Sequence, residues 1–414
     1  MKQNRHRIWA DISLKTIEEN YEAIRAHIGG KPVLCVVKAD AYGHGAVEVV
    51  RRLERHCPAY FGVATVGEAV ELRHNGVSTP ILILGYVDEN DTDAIMEYRI
   101  TPTVHDEEAA RLFSDWATAN GGTIECHLAV DTGMSRIGFD SHDPEAAIRA
   151  MLEVSRLPGL SVTGIFTHFP EADTPEGEAF TRAQIARFKS ICVGLERAGL
   201  RLPWKHCANS AGLACYDDPF FDLVRAGIVL YGYQPDPALQ TGLNIRPAMT
   251  VRARVAQVRR LYPGQSVGYG RTFIAERECS AAVITAGYAD GYLRAGSGQA
   301  VVEIAGQLCP VRGRICMDMC MAELPDGLEV RHGDEVVLFG PGAVTADTVA
   351  QAAGTISYEV LCAVSKRVPR FYEDDVLIFR PRRDETAAAE KHFRHEDETG
   401  AESAAHDLQT ARIH

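Results

Sequence analysis

Between residues 33 and 225 short apolar runs recur, each leading through a loop toward the next. They are Val33 to Val37, Tyr60 to Thr65, Pro80 to Leu84, Thr101 to Val104, Glu125 to Val130, Val162 to Thr167, Lys205 to Ala208 and Leu223 to Arg225. Val33-Leu34-Cys35-Val36-Val37 is apolar throughout, as in a strand buried on both faces. Amphipathic helical stretches such as Glu68 to His74 and Gly177 to Ala198 fall between most of the runs. Alternating strands and helices predict parallel neighbours joined by right-handed crossovers. Eight such units predict an α/β fold, a (β/α)8 barrel of the TIM type, over residues 12–242. An open doubly wound sheet would carry G-x-G-x-x-G after its first strand, and that motif is missing there.

From about Pro247 the pattern turns to period-two alternation, as in Val251-Arg252-Ala253-Arg254-Val255 and Ala300-Val301-Val302-Glu303-Ile304. Pro263-Gly264 and Pro325-Asp326-Gly327 supply turns. The expectation is a second, β-rich domain over residues 243–381, joined by an N-terminal strand from residues 5–11. From Asp384 onward Ala, Glu, Asp, His and Thr dominate, so residues 382–414 are expected to be a disordered tail that cannot offset its own ordering entropy.

Composition narrows the functional classes. With 414 residues, 46% hydrophobic and 24% charged, the chain has material for a large core and two domains. A net charge of −13 leaves no broad basic footprint for nucleic acid or anionic lipid, and no heptad or basic stripe points to a pure interaction protein. The basic start, Met1 to Asp11, lacks the apolar core of a signal peptide, and no later stretch reads as a membrane span, so a cytoplasmic location is expected. The cysteines number 11 and fall mostly in strand-like runs, for example Cys35 and Cys126, which suits buried thiols better than a disulfide framework. Cys316 and Cys320, four apart without clustered histidines, give little ground for zinc, and no metal is expected.

Lys38 closes the first apolar run and opens Lys38-Ala39-Asp40-Ala41-Tyr42-Gly43-His44-Gly45, a glycine-bracketed turn into a helix. A lysine there reaches the carboxyl-end mouth of a barrel without crossing the core, and its amine can form a Schiff base with an aldehyde, as in pyridoxal phosphate enzymes. The sixth strand ends in Thr167-His168-Phe169, the seventh in Asn209-Ser210-Ala211-Gly212, and the eighth in Arg225-Ala226-Gly227-Ile228. Ser210 and the amides of Gly227 and Ile228 lie where barrel enzymes commonly hold phosphate. Ordinary alternatives stand beside each: a solvated strand-end lysine, a serine N-cap, a glycine turn, an Arg225 paired with Asp222, a structurally satisfied His168.

The string KADAYGHG resembles the cofactor-lysine signature of the alanine racemase family. Further matches, in the same order, are Ser266-Val267-Gly268-Tyr269-Gly270-Arg271-Thr272-Phe273, Gly287-Tyr288-Ala289-Asp290-Gly291-Tyr292, Gly313-Arg314-Ile315-Cys316-Met317-Asp318 and Ser357-Tyr358-Glu359. The resemblance covers roughly residues 5 to 380. It implies pyridoxal 5'-phosphate on Lys38, with Arg225 at the pyridine nitrogen, where a cation keeps that nitrogen unprotonated. His168 would lie beside the cofactor, and Tyr42, Ser210, Gly227, Ile228 and Tyr358 would hold its phosphate. Arg136 and the Met317 amide would take the substrate carboxylate, Tyr288 the entrance, with Arg314 and Asp318 around it. Racemisation needs a base on each face of the α-carbon, and the resemblance implies Lys38 and Tyr269. Since a free phenol titrates near ~10, His168 and Arg225 are candidates to assist it. The family's head-to-tail homodimer would bring Tyr269 from the partner.

The implied activity is interconversion of L- and D-alanine, a small-molecule substrate, with D-alanine supplied to peptidoglycan. One departure stands out. Many members have a lysine, carbamylated in several, where this chain has Ala129, so the bracing of Arg136 and the preference for alanine over serine or a broader range are left open. A non-catalytic pyridoxal-phosphate protein of the same barrel would lack the β-domain and its tyrosine. A decarboxylase of this architecture would have an acidic partner for the pyridine nitrogen, against which Arg225 argues.

Overall fold

The computed structural model describes residues 6–216, 222–239 and 241–372. Strands Val33–Val36, Tyr60–Val63, Ile81–Ile83, Thr103–Val104, Ile124–Asp131, Leu160–Phe166, Trp204–His206 and Val224–Ala226 run parallel around a closed barrel. Two joints complete the ring. Leu82 bridges to Thr101, tying the third strand to the fourth, and Arg225 N–H donates to the Ala208 carbonyl at 3.0 Å, tying the eighth to the seventh. Every run expected from the sequence is a strand, its ends moved by a residue or two.

Residues of the first strand are all buried because one face fills the barrel and the other meets outer helices. Helix Leu14–His27 buries Ile17, Tyr21 and Ile24 on one side, and Ser13 starts it by accepting from Thr16 N–H. The helices expected around Glu68 to His74 and Gly177 to Ala198 are Val66–His74 and Glu178–Arg197.

Strand Ile8–Ile12 lies in the second sheet, antiparallel to Met249–Leu261 and parallel to Arg370–Tyr372. Along Met249–Leu261 the residues Met249, Val251, Ala253 and Val255 are buried while Thr250, Arg252 and Arg254 are less so, the expected alternation. Its first half pairs with Glu335–Phe339 and its second with Cys279–Ile284, which in turn pairs with Cys320–Leu324.

The second part is β-rich, as the sequence led us to expect, with helices Ala346–Ala353 and Ser357–Ala363 set into it. Thr345 and Thr348 cap the first helix reciprocally, and Gly354 ends it at φ 69°. The second packs on the turn after Lys38 so closely that a Cβ on Gly43 would stand 2.3 Å from the Leu361 carbonyl oxygen. That contact brings Tyr358 to the barrel mouth, its ring 6.0 Å from that of Tyr42. The tail expected over residues 382–414 lies outside the described residues. Among the described residues no helix is long and apolar enough to cross a membrane. None of the 11 cysteines forms a disulfide, and Cys35 and Cys126 are buried.

The barrel interior also contains buried polar groups. Burial pushes His44 down to about 4 and His127 to about 3, and it drives His168 and His206, each also beside Arg225, well below the usual imidazole range. The folded chain therefore refuses protons that the unfolded chain accepts from about pH 6.5 downward, so stability is lost as pH falls. The expected slope is about 1.4 kcal/mol per pH unit for each such histidine. Denaturant midpoints at pH 7 and pH 5 are predicted to differ sharply, and equal midpoints would contradict the neutral buried imidazoles.

Candidate active site

Lys38 sits two residues beyond the first barrel strand and is followed by Ala39, Asp40, Ala41 and Tyr42 at φ 53°, 55°, 54° and 52°. This is a turn of left-handed helix built without glycine, costing on the order of 1–2 kcal/mol per residue. Surrounding bonds hold it. Ala41 N–H donates to Val37 O at 2.8 Å, Gly43 N–H to Ala39 O at 3.0 Å, and Ala46 N–H to Asp40 Oδ1 at 2.9 Å. Ala39 N–H donates to Glu68 Oε1 at 2.6 Å. The Lys38 amine is shifted below the ordinary lysine range by burial first and by the Arg136 and Arg225 cations next, against the opposing pull of Glu68.

Arg225 is buried, 3% exposed, without the salt bridge to Asp222 that a bland reading allowed. Asp222 faces Lys205 at 3.4 Å instead. The guanidinium donates from Nη1 to the carbonyl of His206 at 3.0 Å and to His206 Nδ1 at 3.1 Å. From Nη2 it donates to the Thr167 and Cys207 carbonyls, at 2.8 and 3.1 Å, and to His168 Nδ1 at 3.1 Å. These contacts leave Nε–H outside the cage. Burial, with Arg136 adding, draws the pKa to about 10, so the group stays cationic at neutral pH. Because arginine only donates, both histidines accept on Nδ1 and carry their proton on Nε2. His206 accordingly donates to His127 Nδ1, 3.0 Å away.

Tyr42, Ser210, Gly227 and Ile228 come together beyond the seventh and eighth strands. Asn209, not Ser210, caps helix Ser210–Cys215, by accepting from Gly212 N–H. The Ser210 hydroxyl is thus free of capping; it accepts from Gly227 N–H at 3.0 Å and keeps its own proton to donate. A Cβ on Gly227 would stand 3.0 Å from the Tyr42 hydroxyl and 3.4 Å from Ser210 Oγ, so a side chain would fill the space between them. Tyr358 adds its ring to the same rim. Hydroxyl and amide donors around a glycine-lined hollow, with Lys38, Arg136 and Arg225 as nearby cations, fit a phosphorylated aldehyde such as pyridoxal 5'-phosphate.

Arg136 is exposed and forms no hydrogen bond or ion pair to the described residues. It lines a cleft with Ala129, Asp131, Phe166 and His168. Asp131 could have braced it, yet its Oδ1 accepts from Gly133 and Ser135 N–H at 2.8 and 3.1 Å. Where Ala129 stands, no side-chain acceptor is available.

The remaining expected residues form a second cluster on the β-rich part. Arg314 lies under the Tyr269 turn, its Cζ 3.2 Å from where a Gly270 Cβ would be. Tyr288 N–H donates to Cys316 O and Ala289 N–H to Met317 O, both at 3.0 Å, which joins the Tyr288 turn to Met317. Asp318 pairs with Arg367 at 2.6 Å. Tyr269 and Met317 are 73% and 53% exposed, and the groups acting most on Lys38 are Arg136, Glu68, Cys362 and Arg225. The structure thus gathers the barrel residues and Tyr358 in one cluster and Tyr269, Tyr288, Arg314, Met317 and Asp318 in another.

Glu68 and His206 were missed from sequence. Thr65-Val66-Gly67-Glu68 has capping-box spacing, a signal for a helix start that carries no hint of the reach to Ala39. His206 reads as one more residue of a short strand.

Comparisons with known proteins show the family. The family models described as alanine racemase, N-terminal domain and C-terminal domain match residues 12–235 and 248–372. Alanine racemase 1 of Clostridium acetobutylicum is 41% identical over 369 residues, 88% of this chain and 95% of the relative. The alanine racemase of Desulfovibrio desulfuricans is 40% identical over 366 residues, 88% of this chain and 98% of the relative. Among solved structures, alanine racemase from Clostridium difficile 630 aligns with TM-score 0.84 at 36% identity, covering 90% of this chain and 97% of the other. The enzyme from D-cycloserine producing Streptomyces lavendulae aligns with TM-score 0.86 at 35% identity, covering 90% and 99%. With both domains matched in order and relatives at this identity along nearly their whole length, the chain belongs to the alanine racemase family.

Proposed function

We propose that this chain is a pyridoxal 5'-phosphate-dependent racemase interconverting L- and D-alanine, with Lys38 and Tyr269 as its two bases. The observation that supports it most is Arg225, a buried cation held by carbonyls and neutral imidazoles where a carboxylate would otherwise be expected. When bound, the cofactor supplies an electron sink that makes the substrate α-C–H acidic. A guanidinium cannot protonate a pyridine nitrogen as a carboxylic acid can, so Arg225 would moderate that sink and favour proton return over side reactions.

The residues then divide the work. Tyr42, Ser210, Tyr358 and the amides of Gly227 and Ile228 would hold the phosphate, with His168 beside the cofactor. Arg136 and the Met317 amide orient the substrate carboxylate. The Lys38 amine, already inclined to give up its proton by burial and its cationic neighbours, works on one face of the α-carbon. The Tyr269 phenolate works on the other. Since Tyr269 is exposed in the single chain, we assign it to the active site of a second copy, in a homodimer with composite sites, with Tyr288, Arg314 and Asp318 forming the approach. The domain boundary falls near residue 242, between the two matched segments. A cytoplasmic enzyme supplying D-alanine for peptidoglycan is the setting this activity implies. Ala129, which leaves Arg136 unbraced, favours a second reading in which serine or other amino acids are also accepted.

Lys38→Ala is expected to lose the visible absorbance of bound cofactor and racemisation together; activity without that absorbance would overturn the assignment. Tyr269→Phe should retain the cofactor and lose about 10²-fold or more in turnover, and near-normal rates in both directions would reject the two-base scheme. Co-expressing the two inactive variants should restore about a quarter of native activity, since half the dimers are mixed and each has one intact site. No recovery in verified mixed dimers would argue that both bases come from one chain.

A further inference from the structure

Glu68 occupies the third position of helix Val66–His74, where a capping glutamate ordinarily reaches back to its own N-cap amide. Here that bond is the long one, 3.4 Å from Thr65 N–H. The short bonds leave the helix. Ala64 N–H donates to Oε2 at 2.8 Å, and Ala39 N–H, 29 residues away in sequence, donates to Oε1 at 2.6 Å. Ala39 directly follows Lys38 and begins the left-handed run. One carboxylate therefore joins the end of the second barrel strand to the residue after the proposed cofactor lysine.

We propose that Glu68 is a positioning residue of this active site, pinning the strained turn that carries Lys38 and setting a negative charge among the cations around its amine. Ala39 N–H points away from the intra-turn ladder, so without an acceptor it would be an orphan at the start of an already costly conformation. A charged acceptor makes a shorter and stronger bond than a neutral one. Around the amine, Arg136 follows the fifth strand, Arg225 lies within the eighth, neutral His168 follows the sixth, and Cys362 comes from helix Ser357–Ala363. Glu68 is the carboxylate among these groups, and it favours the protonated amine, so Lys38 can hold a proton between taking and returning it.

The inference rests on Lys38 being the cofactor lysine, and Lys38→Ala, run alongside, tests that separately: normal cofactor capture by this variant would remove the premise whatever Glu68 does. The main comparison is Glu68→Gln against Thr65→Ala. Thr65→Ala takes away the helix cap, in which the Thr65 hydroxyl accepts from Glu68 N–H at 3.3 Å, but leaves the bond to Ala39. In apoprotein, the pH dependence of the rate of pyridoxal 5'-phosphate capture reports ionisation of Lys38. Glu68→Gln is expected to move that midpoint to lower pH and, in holoenzyme, to cut kcat about tenfold or more with KM for alanine little changed, while Thr65→Ala does neither. If both variants give the same midpoint and kcat, Glu68 is only a cap and the proposal fails. Should Glu68→Gln not fold, residue-resolved amide exchange on the native protein decides. Ala39 exchanging as slowly as Cys35 in the adjoining strand is the expected result, and Ala39 exchanging as fast as Gly76 in its loop would overturn it.

Discussion

A guanidinium buried without a carboxylate governs the rest of this active site. Arg225 keeps its charge because five acceptors at the ends of the sixth and seventh strands surround it: the Thr167, His206 and Cys207 carbonyls and the two imidazoles. An isolated buried charge is costly, so such a cage persists only where the backbone fixes the acceptors in advance. Barrel closure does that fixing, since Arg225 N–H itself bonds Ala208 across the last joint. The same cation sets the proton positions on His168 and His206 and bears on Lys38, so fold, tautomers and chemistry share one origin.

Strain at Lys38 complements that cage. The chain leaves the first strand through four left-handed residues and is held by a glutamate, by Asp40, and by the helix of Tyr358 packed against Gly43. A loosely held lysine would have many rotamers and backbone states to lose on forming a site; this one starts from a fixed root. The β-rich part thus serves the barrel twice, in cis through Tyr358 and, in the proposed dimer, through Tyr269 and Met317 of the partner subunit.

Much of this was legible in the chain. Apolar runs of three to six residues separated by amphipathic helices specify a parallel barrel, and the polar groups that follow them lie at its carboxyl-end mouth, where the structure has Lys38, Ser210 and Arg225. Three features were hidden for physical reasons. The left-handed turn uses residues with no glycine signature, because tertiary bonds rather than local preference impose it. The helices Ala346–Ala353 and Ser357–Ala363 are short and follow long β-alternation, so only the Thr345 cap and Gly354 marked the change. The role of Glu68 depends on a bond across 29 residues, which no local pattern encodes. Ala129, by contrast, was visible as a departure, and the structure gives it meaning: Arg136 has no partner there.

The most direct test of the central claim is to incubate holoenzyme with L-alanine in heavy water and follow chirality and α-deuteration from the first turnover. Two bases on opposite faces predict that newly formed D-alanine carries deuterium from solvent, at a rate exceeding that for L-serine. D-alanine that retains its α-protium would contradict the two-base account, and absence of exchange with alanine would contradict racemase activity itself.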